Sequence, residues 1–404
     1  MTAPLPGAYW RQFSASTISN IGDGMTAAAM PLLAVSLTDD ARLIAGVAVA
    51  AMLPWLALSL PAGVWIDRWS RRRVMVTANL VRTTVYAAIA SLAATGSLGI
   101  WALLALLLVV GCAEVFFDMS AQAFLPSIVD PESLNRANGL LYAAEVISNS
   151  FLGLPLGAWL FAIAVGVPFG IDAATYLVAA ILIASITSTR PEAHVERQPA
   201  SGDFLGQLRE GLAWLWAHRT LRTLAILLGV TNMAFAMGES IFVKFAFEQL
   251  DVGARGFGLL LAAMSLGSIA GGLAGDRIAR KLGAGTSIVV AYAIFSVADA
   301  VRAGIPTVVV VTATSVVVAL AGTVWNVVTV SFRQRVIPPE LFGRVNSAYR
   351  FIGTGSIAVG AFAGGQIAHV AGVRAPFFVA SAVTLIALPF ALPVSRDPQL
   401  SESN

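Results

Sequence analysis

Charged side chains, cysteine and histidine are all scarce in this sequence of 404 residues. Charged residues make up 12% of the chain, whereas soluble domains carry about a quarter. A single cysteine excludes an intramolecular disulfide framework, and three scattered histidines offer no metal-binding spacing. Hydrophobic residues make up 57%, and the mean hydropathy is +0.80. This is too much apolar surface for one soluble core, so the composition predicts a polytopic membrane protein.

The sequence also lacks the signatures of enzymes and of ATP hydrolysis. It contains no phosphate-binding loop of the form Gly-x-x-x-x-Gly-Lys-Ser/Thr, no His-Glu-x-x-His and no Gly-x-Ser-x-Gly. We therefore expect neither an enzyme nor a bound cofactor or metal. The net charge of +3 could suggest nucleic acid as a partner. The basic residues cluster at the ends of apolar runs, however, so membrane topology explains them better than nucleic-acid binding.

Apolar runs of about 20 residues, the length that crosses the hydrocarbon core, predict an all-α integral membrane protein with twelve transmembrane helices. Arg and Lys are enriched in alternate loops, which places both termini in the cytoplasm. The predicted outer loops hold only Arg42, Arg255, Arg302 and Arg374. The predicted spans are 10–37, 43–66, 74–95, 99–120, 139–163, 168–188, 222–247, 256–275, 284–303, 305–330, 346–370 and 374–394.

We expect the spans to form two pseudo-symmetric bundles of six helices, at residues 1–188 and 222–404. Residues 189–221 between them begin with a polar, proline-containing stretch and form a predicted cytoplasmic linker. Phe204, Leu208 and Leu215 then recur at helical spacing, which predicts a short helix lying on the inner leaflet. The alternative is that these residues extend the seventh span.

Two stretches repeat the pattern Gly-x-x-x-Asp-Arg-x-x-basic-basic between apolar runs. A second pair, Pro-Glu followed by Arg and Asn, recurs at 131–138 and 339–346. The offsets of 209 and 208 residues indicate a duplication, as in many transporter folds that bind their substrate between two halves. The repeated pattern consists of Gly63, Asp67, Arg68, Arg71 and Arg72 in the first half and Gly272, Asp276, Arg277, Arg280 and Lys281 in the second.

The repeated pattern resembles the signature loop of the major facilitator superfamily, and the resemblance covers essentially the whole chain. It implies alternating access by two helical bundles, with the repeated pattern acting as a conformational latch. Residues 20–25 (Asn-Ile-Gly-Asp-Gly-Met) and 169–176 (Phe-Gly-Ile-Asp-Ala-Ala-Thr-Tyr) resemble the drug/proton antiporter branch, which includes macrolide, multidrug and enterobactin exporters. Antiporters of the superfamily often carry Gly-Pro-x-x-Gly-Gly in span five, and residues 153–158 (Gly-Leu-Pro-Leu-Gly-Ala) are a degenerate form of it. Span four carries Glu114 and Asp118 where many exporters have Arg.

An ionised acid inside the hydrocarbon core must be paired, face a cavity or become protonated, so acids within the spans are candidate sites. Asp23 lies near the middle of span one, and Asn20 shares its helical face. This pair is a candidate for proton coupling or substrate binding. The alternative is a structural acid beside Gly22 and Gly24.

Glu239 in span seven is a second candidate, and Phe235 lies on the same helical face. Lys244 is close enough in sequence to neutralise Glu239. A lone acid would suit proton coupling, whereas an ion pair would favour a gate. The two alternatives stay open at this point.

The remaining acids of the first half are also candidates. Glu114 and Asp118 are one helical turn apart and should share a proton rather than ionise together, and Glu145 lies in span five. Arg82 should pair with a nearby acid. By the resemblance, spans one, four, seven and ten line a central cavity. To that cavity span ten would contribute Trp325 and Asn326.

An acidic cavity with aromatic side chains favours amphipathic cations. We therefore expect a monomeric transporter that exports hydrophobic or amphipathic small molecules, such as drugs, antibiotics or siderophore-like compounds, across the bacterial cytoplasmic membrane in exchange for protons. The substrate, the lipid bilayer and protons are then its partners, and the proton gradient is its source of energy. The alternatives are a proton-coupled importer on the same fold and, more remotely, a membrane receptor that transports nothing.

Overall fold

The computed structural model describes residues 4–66, 69–186 and 204–395, and all regular secondary structure in these ranges is helical. Near-continuous apolar runs favour helices, because a helix satisfies every backbone polar group internally in lipid. The first half contains α1 (Gly7–Leu37), α2 (Ala41–Ile66), α3 (Arg71–Ala94), α4 (Ile100–Ile128), α5 (Leu134–Glu145), α6 (Leu154–Ile163) and α7 (Val167–Ala184). The second half contains α8 (Phe204–Ala217), α9 (Arg219–Glu239), α10 (Phe242–Leu250), α11 (Ala254–Leu282), α12 (Ala284–Gly304), α13 (Val308–Val336), α14 (Pro339–Ala371) and α15 (Ala375–Ser395).

Eleven helical segments of the described residues are long and apolar enough to cross a membrane. Each of them overlaps one of the predicted spans. The remaining predicted span corresponds to α1, which is 31 residues long. The low hydropathy of α1 follows from the polar side chains along it, which include Arg11, Gln12, Asn20 and Asp23.

The described chain divides into two compact units. The first unit contains residues up to 39, residues 50–199 and residues 253–261. The second unit contains residues 40–49, 200–252 and 262–404. Residues 40–49, which include the start of α2, therefore belong to the same unit as most of the second half of the sequence.

Two of the predicted spans are interrupted. In span five, a π-helical turn at Val146–Gly153 separates α5 from α6. The prediction of one continuous span over 222–247 is wrong, because the helix ends at Glu239 and a new one begins at Phe242. A physical reason lies at Gly238, where a Cβ atom would stand 2.6 Å from the ring of Phe377. The aromatic ring occupies the space beside the penultimate residue of α9.

The predicted linker helix forms as a separate helix, α8, and residues 187–203 lie outside the described part of the chain. His218 separates it from α9, and its imidazole Nδ1 accepts a hydrogen bond from the amide of Leu221 at 3.3 Å. Glu210 of α8 forms an ion pair with Arg344 of α14 at 2.7 Å. These contacts attach α8 to the second unit and rule out a simple extension of α9.

Glycines, spaced four residues apart in several helices, allow helices within each unit to approach closely. A Cβ on Gly153 would lie 2.6 Å from the Cα of Gly24, which brings the π-helical turn against α1. A Cβ on Gly271 would lie 2.7 Å from the carbonyl oxygen of Leu320, which brings α11 against α13. Gly364 similarly contacts the backbone of α9. The small-residue pattern therefore serves helix packing within each unit.

Candidate functional site

Asp23 is held by a hydrogen bond from another helix of the first unit. Its carboxylate oxygen Oδ1 accepts from the hydroxyl of Tyr176, which lies on α7. Asp23 is half-buried and Tyr176 is buried. Asn20 lies one turn earlier on α1 and is also half-buried. The tertiary fold thus gives Asp23 a partner that is 153 residues away in the sequence.

Arg82 of α3 is the positive charge beside this contact, and only 3% of its surface is exposed. Its guanidinium carbon lies 4.3 Å from the ring centroids of both Phe117 and Tyr176, within the range of cation–π interactions. Nη2 donates to the side chain of Asn79 at 2.7 Å, and Nη1 approaches the Tyr176 hydroxyl at 3.4 Å. The Tyr176 hydroxyl therefore contacts both Arg82 and Asp23.

The prediction of a direct salt bridge at Arg82 is wrong, because no carboxylate of the described residues lies within ion-pair distance of it. The two aromatic rings occupy the faces of the guanidinium instead. The charges of Asp23, Glu114 and Asp118 nevertheless act on Arg82 over a longer range. Tyr86 stacks on Tyr176 with ring centroids 5.7 Å apart and completes the aromatic surround.

Asp172 is a further carboxyl in the same region, and none of its surface is exposed. Its Oδ1 accepts from the hydroxyl of Thr175 at 3.0 Å, and its Oδ2 accepts from that of Thr26 at 3.1 Å. The side chain faces α1 at Gly22, where a Cβ atom would collide with Oδ1. Gly22 therefore makes the room that the carboxyl occupies.

Glu114 and Asp118 lie one turn apart on α4 and are both half-buried, as their spacing predicts. Glu145 is exposed at the junction of α5 with the π-helical turn. The first unit thus places Asp23, Asp172, Glu114 and Asp118 within electrostatic range of the Arg82 guanidinium. We call this group of five residues the carboxyl cluster.

The second unit has a smaller buried group of charges near the break between α9 and α10. Arg302 is 5% exposed, and its Nη1 lies 3.4 Å from Oδ1 of Asp299 on the same helix. The charges of both residues act on Glu239, which is half-buried at the last position of α9. The rings of Phe242 and Phe377 lie within 5.9 Å of the Arg302 guanidinium carbon. Glu239 therefore has a cation nearby.

The structure excludes one alternative for Glu239 and corrects the predicted placement of Arg302. Lys244 pairs with Glu248 at 2.6 Å, because both lie on α10 beyond the break, and it does not neutralise Glu239. Arg302 lies in the last turn of α12, not in an outer loop. Its burial identifies it as the cation near Glu239.

The predicted aromatic and amide residues of the cavity lie in different surroundings. Phe235 is 48% exposed on α9, and Asn326 is exposed on α13. Trp325 is 6% exposed and packs in the hydrophobic core of the second unit. Its indole N–H has no hydrogen-bond partner among the described residues.

The first copy of the repeated pattern lies between α2 and α3. Gly63 is part of α2, whereas Asp67 and Arg68 lie outside the described residues. Arg71 donates to the carbonyl of Ala123 at 3.0 Å, and Arg72 donates to that of Ile186 at 2.5 Å. These bonds attach the start of α3 to α4 and to the chain just beyond α7.

The second copy of the pattern is helical, although a loop was predicted by analogy with the first. Gly272, Asp276, Arg277, Arg280 and Lys281 all belong to α11, and the turn comes only at Gly283 with φ of 83°. That left-handed conformation is easily adopted by glycine and ends the helix. Asp276 forms an ion pair with Arg280 one turn further along the same helix. The two copies thus differ in structure despite their common sequence.

Sequence reasoning missed two residues that the structure brings to the carboxyl cluster. Asp172 and Tyr176 belong to the segment 169–176, which we used only as a mark of family resemblance. The available signal was their spacing of four residues, which places an acid and a phenol on one face of span six. The family resemblance assigns the central cavity to other spans, so it does not indicate a site in span six.

Comparison with known proteins agrees with this architecture. The bacterial homologue of the human lysosomal transporter Spinster, in an inward-facing and unoccupied conformation, matches with a TM-score of 0.73 at 14% identity, over 98% of this chain and 97% of that one. The nucleoside transporter NupG matches with a TM-score of 0.73 at 12% identity, over 97% of this chain and all of that chain (100%). At these identities the likeness concerns the fold alone. The described helices thus have the fold of these membrane transporters.

The sequence comparison is more specific. Residues 2–404 match the family described as transmembrane secretion effectors, and the chain belongs to this family. The multidrug efflux pump Tap of Mycolicibacterium fortuitum is 27% identical over 383 residues, which is 92% of each chain. Tap of Mycobacterium bovis (strain BCG / Pasteur 1173P2) is 26% identical over 404 residues, covering 95% of this chain and 94% of the other.

Proposed function

We propose that the protein exports hydrophobic or amphipathic small molecules from the cytoplasm of a bacterium in exchange for protons. It acts as a monomer in the cytoplasmic membrane, with both termini inside. The similarity to proteins described as multidrug efflux pumps supports export. The observation that carries the proposal is the contact of Asp23 with Tyr176 beside the buried Arg82. This contact joins α1, α3 and α7 of the first unit through the titratable carboxyl of Asp23.

The carboxyl cluster supports proton coupling by its balance of charge. Asp23, Glu114 and Asp172 have the buried Arg82 as a neighbouring cation, so full ionisation of all three would leave an excess of negative charge in a low-dielectric interior. Such groups hold protons jointly. A cationic substrate near the cluster would compete with those protons for the same negative charge. Competition of this kind links substrate binding to proton release, because each ligand weakens the binding of the other.

The second unit supports a different role. Glu239 lies at the break between α9 and α10 with Asp299 and Arg302 nearby. An acid with a neighbouring cation suits a gate better than a proton carrier. Discontinuous helices commonly adjoin the binding sites of transporters. The exposed ring of Phe235, one turn before Glu239, offers an apolar surface for the substrate.

The repeated pattern is proposed to act as a latch that differs between the halves. In the first half, Arg71 and Arg72 attach α3 to carbonyl groups near the ends of α4 and α7. In the second half, the ion pair of Asp276 with Arg280 remains inside α11. A contact between helices can favour one conformation over another, whereas a contact within one rigid helix contributes equally to both. We therefore assign the latch to the first half.

Proteoliposomes with an internal pH-sensitive dye test the proposal. A pH gradient is imposed, and macrolides, tetracyclines, cationic dyes and siderophores are added in turn. We expect at least one compound to drive proton movement opposite to its own, and Asp23→Asn to abolish this movement. Asp251→Asn is the matched control, because Asp251 is exposed at the end of α10 with φ of 52°, a conformation that Asn adopts readily.

The alternatives give distinct results in the same vesicles. Substrate and proton movement in the same direction would indicate the importer. Binding of a compound without vectorial movement would indicate the receptor. Proton-coupled efflux that Asp23→Asn leaves unchanged would remove Asp23 from the mechanism.

A further inference from the structure

Asp172 is the most deeply buried carboxyl of the cluster, with none of its surface exposed. No cation of the described residues lies within ion-pair distance of it. Its hydrogen-bond partners are the hydroxyls of Thr26 and Thr175. Two neutral donors are weak compensation for a buried negative charge, whose desolvation cost is large unless it is paired.

Each threonine hydroxyl has only one proton to donate, which further limits how well Thr26 and Thr175 can stabilise a negative charge on Asp172. The Thr26 oxygen also lies 3.2 Å from the carbonyl of Gly22 and 3.1 Å from that of Asp23. The Thr175 oxygen lies 2.8 Å from the carbonyl of Asp172 itself. If Asp172 were ionised, it would compete with main-chain carbonyls for both protons.

A neutral Asp172 satisfies every one of these groups. Its own O–H group, at Oδ2, donates to the oxygen of Thr26, and the proton of Thr26 is then free for the carbonyl of Gly22 or Asp23. Oδ1 still accepts from Thr175. The hydrogen-bond geometry thus favours a carboxylic acid at this position.

We propose that Asp172 is a second proton-carrying residue, which keeps its proton while α1 and α7 are in contact at Gly22 and releases it when they separate. The inference rests on the proposed antiport, and it extends that proposal to a residue outside the central spans. On separation, the O–H bond of the acid breaks, the proton leaves to solvent, and the carboxylate accepts from both threonines. Burial at Gly22 prevents this release, because a proton can leave only when solvent reaches Oδ2.

The neighbouring groups make this release sensitive to the rest of the cluster. From α1 Asp23 acts on Asp172 with a negative charge, and from α3 Arg82 acts with a positive one. The phenols of Tyr86 and Tyr176 also lie within electrostatic range. Ionisation of Asp23 repels a negative charge on Asp172. The two carboxyls therefore exchange protons with solvent as a coupled pair.

Infrared difference spectroscopy of the purified full-length protein in lipid tests the protonation directly. Asp172→Asn keeps the shape of the side chain and both threonine contacts while removing the acid. We expect the wild type to show the C=O stretch of a neutral carboxylic acid that this variant lacks. Asp23→Asn should leave that band in place. Loss of a carboxylate band instead, with no change among the neutral acids, would overturn the proposal.

A second variant covers the case in which Asp172→Asn does not fold. Thr26→Val removes the acceptor of the proposed acid proton, so the C=O band should move to higher frequency. Thr384→Val is the matched control, because Thr384 is 1% exposed and donates to the carbonyl of Ala380 at 2.9 Å, far from any carboxyl in sequence. A band that Thr26→Val leaves unmoved would also overturn the proposal.

Proton counting in proteoliposomes tests the release. With a substrate that drives antiport in the wild type, Asp172→Asn should lose one proton per transported molecule. An unchanged ratio would mean that the acid keeps its proton throughout the cycle, which would refute the carrier role. Absence of proton movement in the wild type would refute the proposed antiport instead. The infrared comparison distinguishes these failures, because it does not depend on transport.

Discussion

Removal of the Tyr176 hydroxyl, which donates to Asp23 of the carboxyl cluster, gives the sharpest test of proton coupling. Tyr176→Phe keeps the ring that stacks on Tyr86 and covers the Arg82 guanidinium at 4.3 Å. It removes the hydrogen bond donated to Asp23 together with the 3.4 Å contact that the hydroxyl accepts from Nη1 of Arg82. The variant therefore separates the packing of the phenol ring from its effect on the acid.

The expected magnitude follows from the bond donated to Asp23. A hydrogen bond to a charged group contributes about 1.5–3 kcal/mol, and its loss disfavours the ionised form of Asp23. Since about 1.4 kcal/mol corresponds to one pH unit, the midpoint of substrate-driven proton release should move up by about one to two units. The sign is fixed, because the phenol donates to the carboxylate and stabilises its ionised form.

The assay is the initial rate of substrate-driven proton movement in proteoliposomes, measured over a series of pH values. Tyr9→Phe is the matched control in the same unit, because Tyr9 is fully buried and donates to the carbonyl of Ala137 at 3.1 Å. The control should lose stability without moving the midpoint. A midpoint for Tyr176→Phe that stays with the control, or moves to lower pH, would refute the reasoning.

Three further predictions concern stability. Gly22→Ala should destabilise the protein by about 1–3 kcal/mol through the collision of its Cβ with Asp172, measured by thermal unfolding, whereas Gly7→Ala in open space should not. Arg374→Gln should lower the unfolding temperature, because Arg374 donates to the carbonyls of residues 303 and 304 at 2.6 and 3.0 Å and so caps α12; an unchanged temperature would exclude this. The hydrogen bonds from Arg42 lower the pKa of Asp40 to about 2, so its stabilising contribution is present at neutral pH and is lost only as pH falls through that value. His369 Nδ1 lies 3.5 Å from Oδ1 of Asp40, so the comparison is made in a His369→Gln background, where the difference in unfolding temperature caused by Asp40→Asn should be constant across the neutral range.

Much of the fold could be predicted from the sequence because lipid imposes a strong local rule. The backbone N–H and C=O groups of every apolar run must be hydrogen-bonded within that run, so run length alone locates a helix. Eleven segments of the described chain meet that rule and coincide with predicted spans. The interruptions could not be predicted in this way. The break after Glu239 coincides with the approach of Phe377, a residue far away in sequence, to Gly238.

The candidate site shows a similar division. Asp23, Glu114 and Asp118 could be selected from the sequence, because an acid within an apolar run is costly wherever the run is packed. Their partners could not be selected. Tyr176 is 153 residues from Asp23, and spacing within one helix carries no information about such a contact. The alternative in which Lys244 neutralises Glu239 could not be excluded from the sequence for the same reason, since the helix break between them is a tertiary feature.

The sequence by itself determined the class of protein, the number of apolar runs and the acids that lipid makes expensive, because these depend only on local composition and on a repeated pattern. The tertiary structure decided which helices meet, and therefore which charge neighbours which acid. It placed Arg82 between two aromatic rings and buried Asp172 against Gly22. It also made one copy of the repeated pattern helical and the other a connection between helices. Packing between distant segments controls these features, and no local rule encodes it.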